Sequence, residues 1–195
     1  MIHSQAAEIA IKVHDELKPF CEKICIAGSV RRGKPEVHDI ELVCMPKLDP
    51  DANIFQSPYG LLDYLHNPTG FLASAKRLKG QDRYQQWQII NPEIKLDLFI
   101  VLPPAQWGVI LAIRTGPREL SQLLVTHKKY GGFLPSNARV QDGVVRIGSD
   151  VLDMVDEASF MQFCGLPNLL PGQRDEFVEH YNQVRLRINF RPGRP

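Results

Sequence analysis

The sequence predicts an α+β fold in two lobes, and three observations predict it. The chain opens with helical periodicity and then turns to strand-like runs. Two hairpin signals, Asn91-Pro92-Glu93 and Asp142-Gly143, join consecutive strand-like runs. Pro103-Pro104 punctuates the chain between them, so lobes are expected over 1–103 and 104–184, with a basic tail at 185–195.

Each element has its own signal. Ala6, Ile9, Ala10, Val13, Leu17 and Phe20 recur at helical spacing, which predicts an amphipathic helix over 4–20. Lys23 to Ala27 is β-prone and ends at Gly28-Ser29. Asp39 to Met45 is a second strand. Pro58 to Leu65 reads as a helix with Ser57 as cap and proline at its first position. Gln85 to Ile90 and Ile94 to Leu102 are the strands of the first hairpin. Beyond the prolines, Ala105 to Ile113 and Arg118 to Tyr130 read as helices separated by Thr115-Gly116-Pro117, with Gly131-Gly132 ending the second. Val140 to Ile147 forms the second hairpin, and Asp156 to Cys164 a short helix.

Composition narrows the function. The chain has 195 residues and a net charge of +1. No apolar run approaches the roughly 20 residues that a membrane span needs. The N-terminus lacks the basic-then-apolar pattern of a secretion signal, so a cytoplasmic location is expected. The four cysteines form no Cys-x-x-Cys pair and read as reduced, buried, small hydrophobes. Neither lobe is strongly basic, which predicts a weak grip on duplex DNA. The tail carries Arg185, Arg187, Arg191 and Arg194 without an acid. It reads as a soluble, frayed end or as an arm that touches phosphate.

The chemistry is concentrated between Gly28 and Glu41. Asp39 and Glu41 are two apart on a strand, so both leave the same face. Two like charges held together favour a cation between them, and oxygen-only ligands favour Mg²⁺ or Mn²⁺. Upstream, Gly28 allows a tight turn. The Ser29 hydroxyl, the following N–H groups, Arg31 and Arg32 can face an anion. Asp97 is a lone acid between Leu96 and Leu98, costly to bury unless paired or coordinated. In an antiparallel sheet its strand can lie beside that of Asp39 and complete a three-carboxylate site. The competing reading pairs Asp97 with Lys95 or a nearby arginine.

Gly-Ser, nine residues, then Asp-x-Glu resembles the signature of the polymerase-beta-like nucleotidyltransferase superfamily. Arg31, Arg32 and Gly33 resemble the family X DNA polymerases in particular. Gly80 to Tyr84, the Thr115-Gly116 segment, Gly165-Leu166-Pro167, Pro171 and Arg174 extend the similarity over roughly residues 5 to 176. The resemblance implies a palm with a mixed or antiparallel sheet, followed by a small α+β nucleotide-binding lobe. It implies that Asp39 and Glu41 bridge two Mg²⁺ (or Mn²⁺) ions. Asp97 would bind the catalytic ion and accept the proton of a 3′-hydroxyl. Ser29 and Arg32, reached through the turn at Gly28, would hold the β- and γ-phosphates. Ile113, Arg114, Thr115 and Gly116 would line the sugar and base, with Arg118 and Ser121 near the base. The chain departs from the family at Ile113 and Arg114, where aromatics usually stand, at Val37, where a serine often touches phosphate, and at Ser121, usually asparagine. It resembles the compact, two-lobed members without a lyase domain or duplex clamp.

The expectation is a monomeric minimal polymerase that adds nucleotides from a triphosphate at gaps or nicks in DNA. Two other readings stay open. One is a template-independent transferase, or one acting on RNA, protein or a small molecule through another acceptor. The other is a catalytically silent nucleic-acid-binding module, which would have no use for three clustered carboxylates.

Overall fold

The structure is a computed structural model that describes residues 1–50 and 57–189. Helix α1 (His3–Leu17) buries Ala6, Ile9, Ala10, Val13 and Leu17 along one face, as its period requires. Strand β1 (Cys21–Ile26), the single turn α2 (Gly28–Arg31) and strand β2 (Asp39–Pro46) follow. Helix α3 (Gly60–His66) then leads to β3 (Lys76–Gln81), β4 (Tyr84–Ile89) and β5 (Ile94–Ile100). The second half holds α4 (Trp107–Thr115), α5 (Arg118–Val125), β6 (Ala138–Gln141), β7 (Val144–Ile147), β8 (Asp150–Leu152), α6 (Glu157–Phe163) and α7 (Arg174–Asn189).

The fold is α+β. Its first sheet has five strands in the order β1-β2-β5-β4-β3, and its second has three in the order β6-β7-β8. The first sheet is mixed. β1 and β2 pair antiparallel, as do β3, β4 and β5 in turn, whereas β2 and β5 run parallel. The antiparallel arrangement expected for the strands of Asp39 and Asp97 is therefore corrected. The chain leaves β2, enters the far edge of the sheet at β3 and returns through two hairpins, so β5 arrives beside β2 in the same direction.

One face of this sheet packs Ile40, Leu42, Leu96, Leu98 and Trp87 against α1 and α3. The other face is apolar only toward the strand ends, where Val43 and Phe99 meet Leu111 of α4. The second half has a core of its own, with Val109, Leu120, Leu124, Phe160 and Met161 at its centre. No helix among the described residues is long and apolar enough to cross a membrane.

Other local expectations need correction. α3 begins at Gly60 without a side-chain cap; the Ser57 hydroxyl instead accepts the Tyr59 N–H at 3.1 Å, ahead of the helix. α5 stops at Val125, and a separate 3-10 turn covers Lys128–Tyr130. The expected tail begins as helix, because α7 runs through Arg185 to Asn189. Residues 190–195, with Arg191 and Arg194, lie outside the described residues. The cysteines are free, three of them buried and Cys25 half-buried.

Candidate active site

The register of the parallel pair sets Lys95 opposite Asp39 and Asp97 opposite Glu41. All three carboxylates therefore share the sheet face that turns away from α1. Asp97 is nearly buried, 8 % exposed. Its Oδ1 accepts hydrogen bonds from the Tyr84 hydroxyl and from Gln86 Nε2, both at 2.8 Å. Both donors come from β4, whose pairing puts Gln86 opposite Asp97 and Tyr84 opposite Phe99. The competing reading, a partner in Lys95 or an arginine, is not what the hydrogen bonds show. The donors are neutral and leave the charge uncompensated, and Oδ2 has no donor among the described residues. Tyr84 and Gln86 escaped sequence reasoning. Their signal was the alternation of Tyr84, Gln86 and Gln88 with the buried Gln85, Trp87 and Ile89.

The electrostatics follow from this crowding. Burial, then repulsion by Asp39, pushes the Glu41 carboxyl up to about 7, with the Arg114 guanidinium opposing. Burial and the Asp97 charge likewise raise Asp39. Burial and the bond to Asp97 push the Tyr84 hydroxyl up to about 12, so it remains a neutral donor. The Arg114 guanidinium carbon sits over the Phe99 ring, 3.9 Å from its centre. That contact fixes a cation beside Glu41.

A carboxyl raised in the folded state fits the fold better protonated. The stability that proton supplies is full below Glu41's usual value of 4.5 and is lost as pH climbs through about 7. The melting midpoint of the metal-free chain should therefore fall across that window. Glu41→Gln should flatten this part of the profile, and Mg²⁺ or Mn²⁺ should restore the midpoint at pH 8. Thermal scans across pH, with chelator and with metal, check this. A Glu41→Gln profile that follows the native one would remove Glu41 as the source.

Among the described residues no three His, Cys, Asp or Glu side chains converge closely enough to hold a metal ion as they stand. The donor set nevertheless fits a hard divalent cation: its ligands are all oxygen, and burial and mutual repulsion strain two of the three in their charged form. Gly28 keeps the space open. It has a φ of +59°, and a Cβ there would collide with the Glu41 carboxylate.

Beside the carboxylates is the turn that follows β1. The Ser29 hydroxyl is buried and has no hydrogen-bond partner, the one such side-chain atom among the described residues. A buried polar atom left bare is unfavourable unless a ligand completes it. Arg31 and Arg32 are held by the second half. Arg31 donates to the Thr115 hydroxyl and to Glu157, both at 2.6 Å. Arg32 donates to Asp175 at 2.9 Å and to the Thr115 carbonyl. Glu157 also binds Arg174 at 2.8 Å, and that guanidinium is buried, 1 % exposed. Burial alone would raise the Glu157 carboxyl, but the two arginines outweigh it and hold it below its usual value.

A cleft of about 320 Å³ gathers most of the residues singled out from the sequence. Ser29, Arg32, Asp39 and Glu41 form its wall on the side of the first sheet. Ile113, Arg114, Gly116, Arg118 and Ser121 face them from α4, α5 and the turn between. Four singled-out residues do not line it, Arg31 among them because its guanidinium is taken up by Thr115 and Glu157. Gly28 lies under Glu41, Asp97 sits deeper in the sheet, and Thr115 is fully buried between the two arginines. The Ser121 hydroxyl donates to the Ile113 carbonyl at 2.6 Å, so its proton serves the helix joint. Glu157 and Asp175 were missed, since acids in a helix's first turn read as solvated. No protein-family model matches the chain, and no curated protein matches it significantly.

Proposed function

We propose that the chain is a metal-dependent nucleotidyltransferase of the polymerase-beta-like kind, acting as a minimal family X-like polymerase on a 3′-hydroxyl. One observation carries the reading. Asp39, Glu41 and Asp97 share one sheet face, beside a cleft whose wall includes a buried, unpartnered serine hydroxyl and an arginine. An anion cradle next to clustered carboxylates is what phosphoryl transfer requires.

Asp39, Glu41 and Asp97 are the residues that would hold two Mg²⁺ or Mn²⁺ ions. Such ions activate the attacking hydroxyl and neutralise the phosphates. Ser29 and Arg32 bind and orient the β- and γ-phosphates. Tyr84 and Gln86 fix the Asp97 carboxylate by its Oδ1, which leaves Oδ2 to take the 3′-hydroxyl proton. The deprotonated 3′-oxygen then attacks the α-phosphorus, and the bond from that phosphorus to pyrophosphate breaks. Ile113, Arg114 and Gly116 form the wall against sugar and base.

The acceptor is tested directly. The chain is incubated with Mg²⁺ or Mn²⁺, each labelled NTP and dNTP, and gapped, nicked, single-stranded and RNA acceptors. Incorporation of dNTP at gaps is expected, and label in no acceptor under any condition would overturn the reading. The net charge of +1 favours a second outcome, transfer to an untemplated or small acceptor. Ser29→Ala should weaken triphosphate binding roughly 10- to 100-fold, the size of a hydrogen bond to a charged group. It should leave the fold as stable or slightly more so, because the lost hydroxyl has no partner. Calorimetric titration with a dNTP checks this, and unchanged affinity would move the phosphate site away from Ser29.

A further inference from the structure

Arg32 faces the cleft, yet two of its three nitrogens already donate within the protein. Its Nε donates to Asp175 at 2.9 Å and its Nη1 to the Thr115 carbonyl. Lys34 approaches the second Asp175 oxygen at 3.3 Å. One carboxylate from the first turn of α7 thus lies between two cations of the segment that also carries Ser29. The chain just before α7 reaches the same turn, since a Cβ on Gly172 would lie 3.9 Å from the Arg32 carbonyl oxygen.

Two features separate this contact from an ordinary clasp between lobes. The clasp is already made by Glu157, which binds Arg31 and Arg174 at 2.6 and 2.8 Å and is only 11 % exposed. Asp175 is 31 % exposed and holds the arginine that lines the cleft, at 12 % exposure. A carboxylate and a phosphate also ask the same thing of a guanidinium, namely paired N–H donors and a positive charge.

We infer that Asp175 is an internal competitor for the triphosphate: its carboxylate occupies Arg32 and Lys34 until phosphate oxygens replace it. This rests on the nucleotidyltransferase reading above. Affinity for nucleotide is then set by the exchange of one anion for another, and a cradle that is mostly occupied binds more weakly than its intrinsic strength. Asp175 thereby tunes affinity without touching the reacting atoms.

The test uses the whole chain and Asp175→Asn, which keeps size and loses charge. Both are titrated with Mg²⁺–dATP and with inorganic tripolyphosphate, and both are melted without ligand. The variant should melt lower, because an ion pair is lost, and yet bind both probes about 3- to 10-fold tighter. A purely structural contact predicts that stability and affinity fall together. Asp175→Glu, which keeps the charge, should bind as the native chain does. Asp175→Ser replaces the asparagine variant if that one does not fold. Native binding with no gain in the charge-free variant overturns the inference alone. Failure of every form to bind either probe overturns it together with the nucleotidyltransferase reading.

Discussion

Asp97→Asn will reduce nucleotide transfer by roughly 10²–10⁴-fold, the contribution of a positioned proton acceptor, and will leave the fold intact. Asparagine retains an oxygen where Tyr84 and Gln86 donate, so the contacts that seat the side chain survive. What is lost is the charge opposite Glu41 and the basic Oδ2. Triphosphate should still bind, because Ser29 and Arg32 are untouched. Single-turnover transfer, nucleotide titration and a melting curve separate these effects. Near-normal turnover in the variant would remove Asp97 from the reacting centre. Loss of binding along with turnover would give it a place in the nucleotide site instead.

Glu157→Ala will be the most destabilising of the substitutions considered. Arg174 is buried at 1 % exposure, and Glu157 is the carboxylate that neutralises it. Its other bonds go to the carbonyls of Leu169 and Ala112, which carry no full charge. Removing one partner of a buried ion pair costs about 3–5 kcal/mol, since the other charge is left in a medium of low polarity. For a chain of this length that lowers the melting midpoint by roughly 6–20 °C. Arg31 loses its carboxylate as well and keeps only Thr115. Because the Glu157 carboxyl is held below its usual value, the stability it supplies is present at neutral pH and lost only on acidification. Denaturant unfolding at pH 7 and in acid checks both points. A loss below about 1 kcal/mol at pH 7 would mean that Arg174 finds another anion.

The carboxylates were legible for a physical reason. Asp39 and Glu41 stand two apart beside apolar residues, and Asp97 interrupts an otherwise apolar strand. Both patterns are local, and burial makes them informative. The direction of β5 relative to β2 was not legible, because a strand's own sequence does not encode which way its neighbour runs. β3 was missed for another reason. Lys76-Arg77-Leu78-Lys79 has no apolar alternation, and Leu78 is itself exposed; the strand exists through its pairing with β4. α7 was read past because its apolar residues, Phe177, Val178 and Tyr181, are diluted by charge. Phe177 and Tyr181 gather around Phe133 of the second half, and Val178 joins its core. The contacts of Glu157 with Arg31 and of Asp175 with Arg32 could not be assigned, since those arginines lie 126 and 143 residues away in the chain.

The parallel junction of β2 with β5 also governs how the chain acquires its site. β1 with β2, and β3 with β4 and β5, are each made from near neighbours in sequence and can nucleate early. The junction between these two groups is the long-range step, closed only after the intervening loop is brought round. Glu41 and Asp97 sit on that seam, so the same closure that completes the sheet brings two carboxylates face to face. A nascent chain that ends before β5 carries two strand pairs without the strand that joins them, and an acidic pair without its third member. Synthesis beyond Asp97 is thus the earliest moment at which the three carboxylates can share one sheet face.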